Sequence, residues 1–330
     1  MSLPWKYLLL CFALTWIVWI PGTLLHADVM ILTFGSAGPA LAAIWLARRP
    51  GKSNAQPSQR FTYFAALWLI AWLILEIAPP GAGGLHWPIR WNPWTIPLAM
   101  LPAWILSGAW SSDSGIRELL RMMWTARNWR WPLISFLAIP AYLLIPAAIA
   151  RLVGFPLTVP LHPNGVAALV ALGAASFART VLFTAFEELG WRGTLLRRLE
   201  EKHSPLTASL FVWFPWMLWH APLDLTGGAA HTLAGWLQVR VIFLIPMAIL
   251  LTWIYNRSGR SLLCTTLFHS AMNTFPFVLP WSRPMLGLVL VWVIWVVIQD
   301  RMWRRNTLDD SWSQGGRIIN ETNLRQQASQ

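Results

Sequence analysis

The chain is short of charge. Only 12% of its 330 residues are Asp, Glu, Lys or Arg, against 56% apolar. Soluble domains carry about twice that charged fraction, so a water-soluble globular domain is excluded. Cysteine is scarce too. The two present, Cys11 and Cys264, both lie in apolar runs; they form no disulfide framework and read as buried membrane thiols. The sequence has no internal repeat, P-loop, dinucleotide fingerprint, zinc-ribbon spacing or HExxH motif, and so offers no familiar nucleotide or zinc signature. The net charge of +12 would suit nucleic acid. However, the basic residues sit in short clusters between apolar runs, as they do in cytoplasmic loops, and no nucleic-acid partner is expected.

What the sequence does have is apolar runs long enough to cross a bilayer, which takes about 20 residues. We read about ten spans, near 5–25, 29–47, 61–79, 94–110, 132–153, 170–197, 205–221, 233–255, 261–280 and 284–300. The expected fold class is therefore all-α, a polytopic transmembrane helix bundle. The first run follows Lys6 but is longer than a signal-peptide core, has no A-x-A site and leads directly into the second run. Basic residues alternate by loop. Arg48, Arg49, Lys52 and Arg60 follow the second span, and Arg117, Arg121, Arg127 and Arg130 the fourth. Arg197, Arg198 and Lys202 follow the sixth, Arg257 and Arg260 the eighth, and Arg301, Arg304 and Arg305 the tenth. The intervening loops hold little charge beyond Arg90, Arg151 and Arg283. This pattern puts both termini in the cytoplasm of a cell-membrane protein. Trp5, Trp87, Trp91, Trp94 and Trp131 read as interfacial anchors. Residues 1–131 form N-terminal helices that end in an amphipathic surface segment, 114–131, with Ile116, Leu119, Leu120, Met123 and Trp124 on its apolar side. Residues 132–300 form a core, and 301–330 a polar tail expected to be disordered.

Three places in the core carry charge or strong polarity where it is costly. In "AFEELGWRG", Glu188 and Arg192 stand at i and i+4 on one helix face and can pair. Glu187 is rotated by about 100° and is left free, a candidate general base. Arg179 and Arg197 are about 27 Å apart along a helix, so if both reach interfaces, Glu187 lies near mid-membrane. In "WFPWMLWHAP", His220 ends a span one turn after Trp216; a lone His there is more often a satisfied interface residue. In "LFHSAMN", His269 and Asn273 stand at i and i+4 and point the same way, toward something they must hydrogen-bond. Helix-packing glue is the plain alternative.

Together these stretches resemble the CPBP family, the CAAX-protease and bacteriocin-processing (Abi) intramembrane proteases. The family pattern runs EExxxR, FxxxH, HxxxN. Here it is Glu187-Glu188 with Arg192, then Trp216 in place of the usual Phe before His220, then His269 with Asn273. The departure at Trp216 is expected to touch packing around His220 rather than chemistry. "LTWIYNRSGRSLL" and "FGSAGPALAAIW" also resemble bacterial members. The resemblance covers roughly 132–300, with a weaker match before it.

The resemblance implies hydrolysis of a peptide bond in a peptide or membrane-protein substrate, within the bilayer. By it, Glu187 activates a water, His220 assists, His269 and Asn273 stabilise the oxyanion, and Glu188 with Arg192 holds the framework. Helix amides are already bonded, so side-chain donors have to serve the oxyanion. No cofactor is favoured. Zinc held by Glu187, His220 and His269 is the alternative, though Asn273 is a poor zinc ligand and a good oxyanion donor. A non-proteolytic immunity or scaffold protein and a proton-coupled transporter also remain open. The transporter would want paired broken helices, which the sequence does not show.

Overall fold

The computed structural model describes residues 2–49, 57–77, 92–159, 165–227, 232–282 and 285–305. Lys52, Trp87, Arg90, Trp91, Arg283 and the tail 306–330, all singled out in the sequence, lie outside them. The described residues are built of helices; their strand pairing is confined to an isolated bridge between Thr158 and Trp281.

In chain order the helices are α1 (Leu3–Leu24), α2 (Val29–Gly35), α3 (Gly38–Ala47), α4 (Pro57–Ile77), α5 (Thr95–Leu106), α6 (Ser114–Arg121), α7 (Arg130–Leu152) and α8 (Val166–Gly190). A π-helical turn, Trp191–Leu196, extends α8 into the short α9 (Arg197–Leu199). Then follow α10 (Pro205–Trp219), α11 (Ala221–Gly227), α12 (Leu233–Ile242), α13 (Leu244–Arg257), α14 (Leu262–Thr274) and α15 (Met285–Gln299). Six apolar stretches are long enough to cross a membrane: Leu3–Leu24, Val29–Ala47, Ser58–Ile77, Arg130–Leu152, Val166–Leu199 and Leu233–Arg257. The other four of the expected ten are shorter helical stretches, at Thr95–Trp110, α10, α14 and α15.

Local chemistry sets these boundaries. Proline at the first or second helical position starts α1, α3 and α10, where its missing N–H costs nothing. Asp28, Asp113, Ser204 and Ser261 cap α2, α6, α10 and α14 by accepting from backbone N–H groups, as N-cap side chains do. The span expected at 29–47 is broken between α2 and α3, just before the Gly38-Pro39 step. Pro39 has no N–H to continue the ladder.

The amphipathic segment is a helix only to Arg121. Ile116, Leu119, Leu120 and Met123 are buried as expected, but Trp124 is half exposed. Beyond Arg121 the chain is held by other elements rather than by its own turns: Met122 O accepts from Leu262 N (2.9 Å), and Arg127 N donates to Ser258 O (2.8 Å).

The basic loops gather at one end of the bundle. Glu118 receives both Arg49 (3.5 Å) and Arg197 (3.0 Å). Asp113, capping α6, also accepts from Arg49 N at 3.1 Å. Arg257 pairs with Asp300, and Leu206 N donates to Met302 O at 2.9 Å. The loops that the charge pattern assigned to one side therefore touch one another. Away from this end, large apolar side chains such as Ile17, Ile145 and Val291 are exposed, as lipid-facing positions are.

Candidate active site

Close backbone contacts bring α1, α3, α8, α10 and α14 together. A Cβ on Gly38 would lie 2.0 Å from Thr15 Oγ1 and 2.9 Å from Cys11 O; one on Gly190 would lie 2.8 Å from Pro39 O. Only glycine permits these approaches, the small-residue contact typical of membrane helices. Trp219 Nε1 donates to Thr15 Oγ1 (2.8 Å) and Trp16 Nε1 to Trp219 O (3.1 Å), fixing α10 to α1. Thr184 and Ser270 share a hydrogen bond at 2.6 Å, fixing α8 to α14.

Inside this frame Glu188 Oε1 accepts from Arg192 Nη1 at 2.9 Å and from His269 Nδ1 at 2.9 Å. Glu188 and Arg192 are fully buried and His269 nearly so. The pairing expected from the i, i+4 spacing is present, and His269 joins it from another helix. Arg192 lies in the π-helical turn, a local widening often found at functional sites. Its guanidinium sits over the Trp216 ring, 4.4 Å from the centroid, an attraction strengthened by desolvation.

Glu187 is half-buried, and contrary to the helix-face argument it is not free. Trp216 Nε1 donates to its Oε2 at 2.8 Å. This also corrects the reading of Trp216 as packing alone. Its indole touches Arg192 by its face and Glu187 by its N–H, and it meets the His269 ring edge-on at 5.4 Å. The signal was in the sequence, since Trp carries a donor that the family's Phe lacks. Which carboxylate it would reach depends on how α10 packs on α8.

His220 caps α10. Its Nδ1 lies 2.8 Å from Trp216 O; a carbonyl can only accept, so Nδ1 carries the proton and Nε2 is left as a lone pair. Asn273 is one turn beyond His269, near the end of α14. It is exposed, and its amide makes no hydrogen bond among the described residues. Arg179, used above as a depth marker, is packed on α2 with Nη2 3.3 Å from Met30 Sδ. The helix begins 13 residues before it (179 − 166), so Arg179 does not set the depth of Glu187.

Among the described residues no three His, Cys, Asp or Glu side chains are grouped to hold a metal ion. Both histidines hold Nδ1 on a protein acceptor, which leaves Nε2 of each ring as the outward nitrogen.

Fold and site together define a class: a polytopic helical membrane protein with a buried carboxylate–arginine–histidine cluster. Residues 168–275, which contain the whole cluster, match the family model "Type II CAAX prenyl endopeptidase Rce1-like". The chain is also 30% identical over 155 residues to a protein of Methanococcus maripaludis named CAAX prenyl protease 2, covering 43% of this chain and 56% of the relative. It thus spans about half the length of the curated relative it matches. Both findings liken the core of the chain to the CAAX proteases, in agreement with the resemblance that the three motifs carry.

Proposed function

We propose that the chain is an intramembrane endopeptidase, cutting a peptide bond in a peptide or membrane-associated protein with a water activated by Glu187. One observation carries this reading: two adjacent carboxylates have opposite surroundings. Glu188 is fully buried and bonded to Arg192 and His269, whereas half-buried Glu187 is held through one oxygen by Trp216. The first is a framework group. The second is oriented and still open to react.

In this reading Glu187 takes a proton from water as the oxygen attacks the scissile carbonyl, then passes it to the leaving amine. His220 assists through Nε2. The oxyanion is met by His269 and Asn273. His269 Nδ1–H is given to Glu188, so donation from Nε2 requires the imidazolium. Exposed Asn273 has its amide available. No metal takes part. The relative's name makes a lipidated C-terminal peptide the first probe.

The test uses reconstituted wild type and Glu187→Gln with that peptide and with a membrane-protein extract, reading new N-termini by mass spectrometry. Wild type is expected to cleave. The variant should lose about 10²-fold or more in rate, the scale of general-base catalysis, while folding normally. Full turnover by Glu187→Gln would remove the base assignment. Stoichiometric zinc in pure wild type, lost in His269→Ala, would overturn the metal-free part.

A further inference from the structure

The proposed chemistry leaves several polar atoms beside the carboxylates unused. Tyr7 comes from α1, outside the stretch that matches the family, and is fully buried. Its Oη would lie 2.3 Å from a Cβ on Gly190, so it abuts α8 two residues after Glu188. It is within electrostatic reach of Glu187 and Arg192, and its ring meets Trp191 edge-on at 5.7 Å. Tyr7 Oη, Trp191 Nε1, Arg192 Nε and Nη2, and Glu188 Oε2 are all buried without a hydrogen-bond partner among the described residues. The Cys11 thiol beside Tyr7 is only a weak acceptor, and the Thr265 hydroxyl near Glu188 donates to Leu262 O. Folded proteins leave few such atoms. Here they come from consecutive turns at the end of α8 and from the Tyr7 that packs on it, and donors beside a carboxylate acceptor are what a buried water needs for its usual three or so bonds.

A second observation points the same way. A cavity of about 80 Å³ opens at the end of the bundle that gathers the basic loops, lined by Leu3, Gly193, Thr194 and Arg197 among others. Leu3 is one turn before Tyr7 on α1, and Gly193 follows Arg192 directly. The cavity is polar and has room for several waters.

We propose that Tyr7, Trp191, Arg192 and Glu188 form a water-holding site that supplies water to Glu187. The supply role rests on the hydrolytic reading above. Each turnover consumes one water: its oxygen and one hydrogen complete the new carboxyl group, and the other hydrogen goes to the new amine. The half-buried base has to be resupplied after every cut. Tyr7 is a positioning residue here, acting on the water rather than on the substrate.

Tyr7→Phe removes only the hydroxyl and separates the possibilities, with Trp191→Phe as a second variant that removes the indole N–H. If the hydroxyl binds water, Tyr7→Phe is no more thermostable than wild type. With cleavage measured, kcat falls about ten-fold at unchanged KM, the loss for one hydrogen bond needed in the transition state. A rise in melting temperature on Tyr7→Phe would show an orphaned hydroxyl and overturn the site. Unchanged kcat in both variants would overturn the supply role. A wild type that cleaves nothing would sink the protease reading, and the melting comparison would still decide whether the site holds water.

Discussion

Glu187 and Glu188 are neighbours in sequence, yet the rotation of about 100° between adjacent helical residues gives them different partners. Glu188 faces inward to Arg192 and His269; Glu187 faces the indole of Trp216. A charge taken fully out of water needs an opposite charge beside it, and removing one of the two strands the other. Glu188→Gln should therefore lower stability, because Arg192 would remain buried without its carboxylate; breaking a buried pair costs about 3–5 kcal/mol. Glu187→Gln should leave the melting temperature near that of wild type, since the amide still offers an oxygen to Trp216. Thermal unfolding in one detergent compares the two directly, and equal losses would contradict this division of labour.

At the scale of the element, the segment that matters most is the end of α8, where the helix passes into a π turn. Gly190 sits at this junction, against Tyr7 Oη and the Pro39 backbone. Gly190→Ala should destabilise by about 1–3 kcal/mol, the usual cost of overpacking, because the Pro39 carbonyl belongs to a backbone that cannot step aside. Gly287 in α15 has nothing within 4 Å of its Cβ position, so Gly287→Ala serves as the control and should not lose stability.

This segment also shows what the sequence can and cannot convey. The Glu188–Arg192 bond was legible because both residues lie on one helix at a fixed spacing. The bonds from His269 and Trp216 were not, since they join residues 81 and 29 positions apart and depend on how separate helices pack. The π turn has no residue signature, being one extra residue taken into a turn. The α2–α3 break was written in Gly38-Pro39, but a continuous apolar run around it concealed the stop.

For the whole molecule, the charge alternation and the contacts among loops agree. Arg49, Glu118, Arg197, Ser258 and Asp300 belong to loops far apart in sequence that meet at one end. Both termini are expected on that side, facing the cytoplasm. Single cysteines placed at positions in 50–58 and 312–328 test this, because native Cys11 and Cys264 are buried. Labelling is expected only after the membrane is permeabilised; labelling of either region in intact cells would overturn the orientation.

The lengths of α10 and α14 bear on the lipid itself. At 15 and 13 residues they extend about 22 and 20 Å, against a hydrocarbon core of about 30 Å. The bilayer has to become thinner around them, or their last carbonyls stay below its surface. In either case the ends carrying His220 and Asn273 stop short of the far lipid surface. On the proposed function, acyl-chain length then sets how deeply a peptide has to sink to reach them.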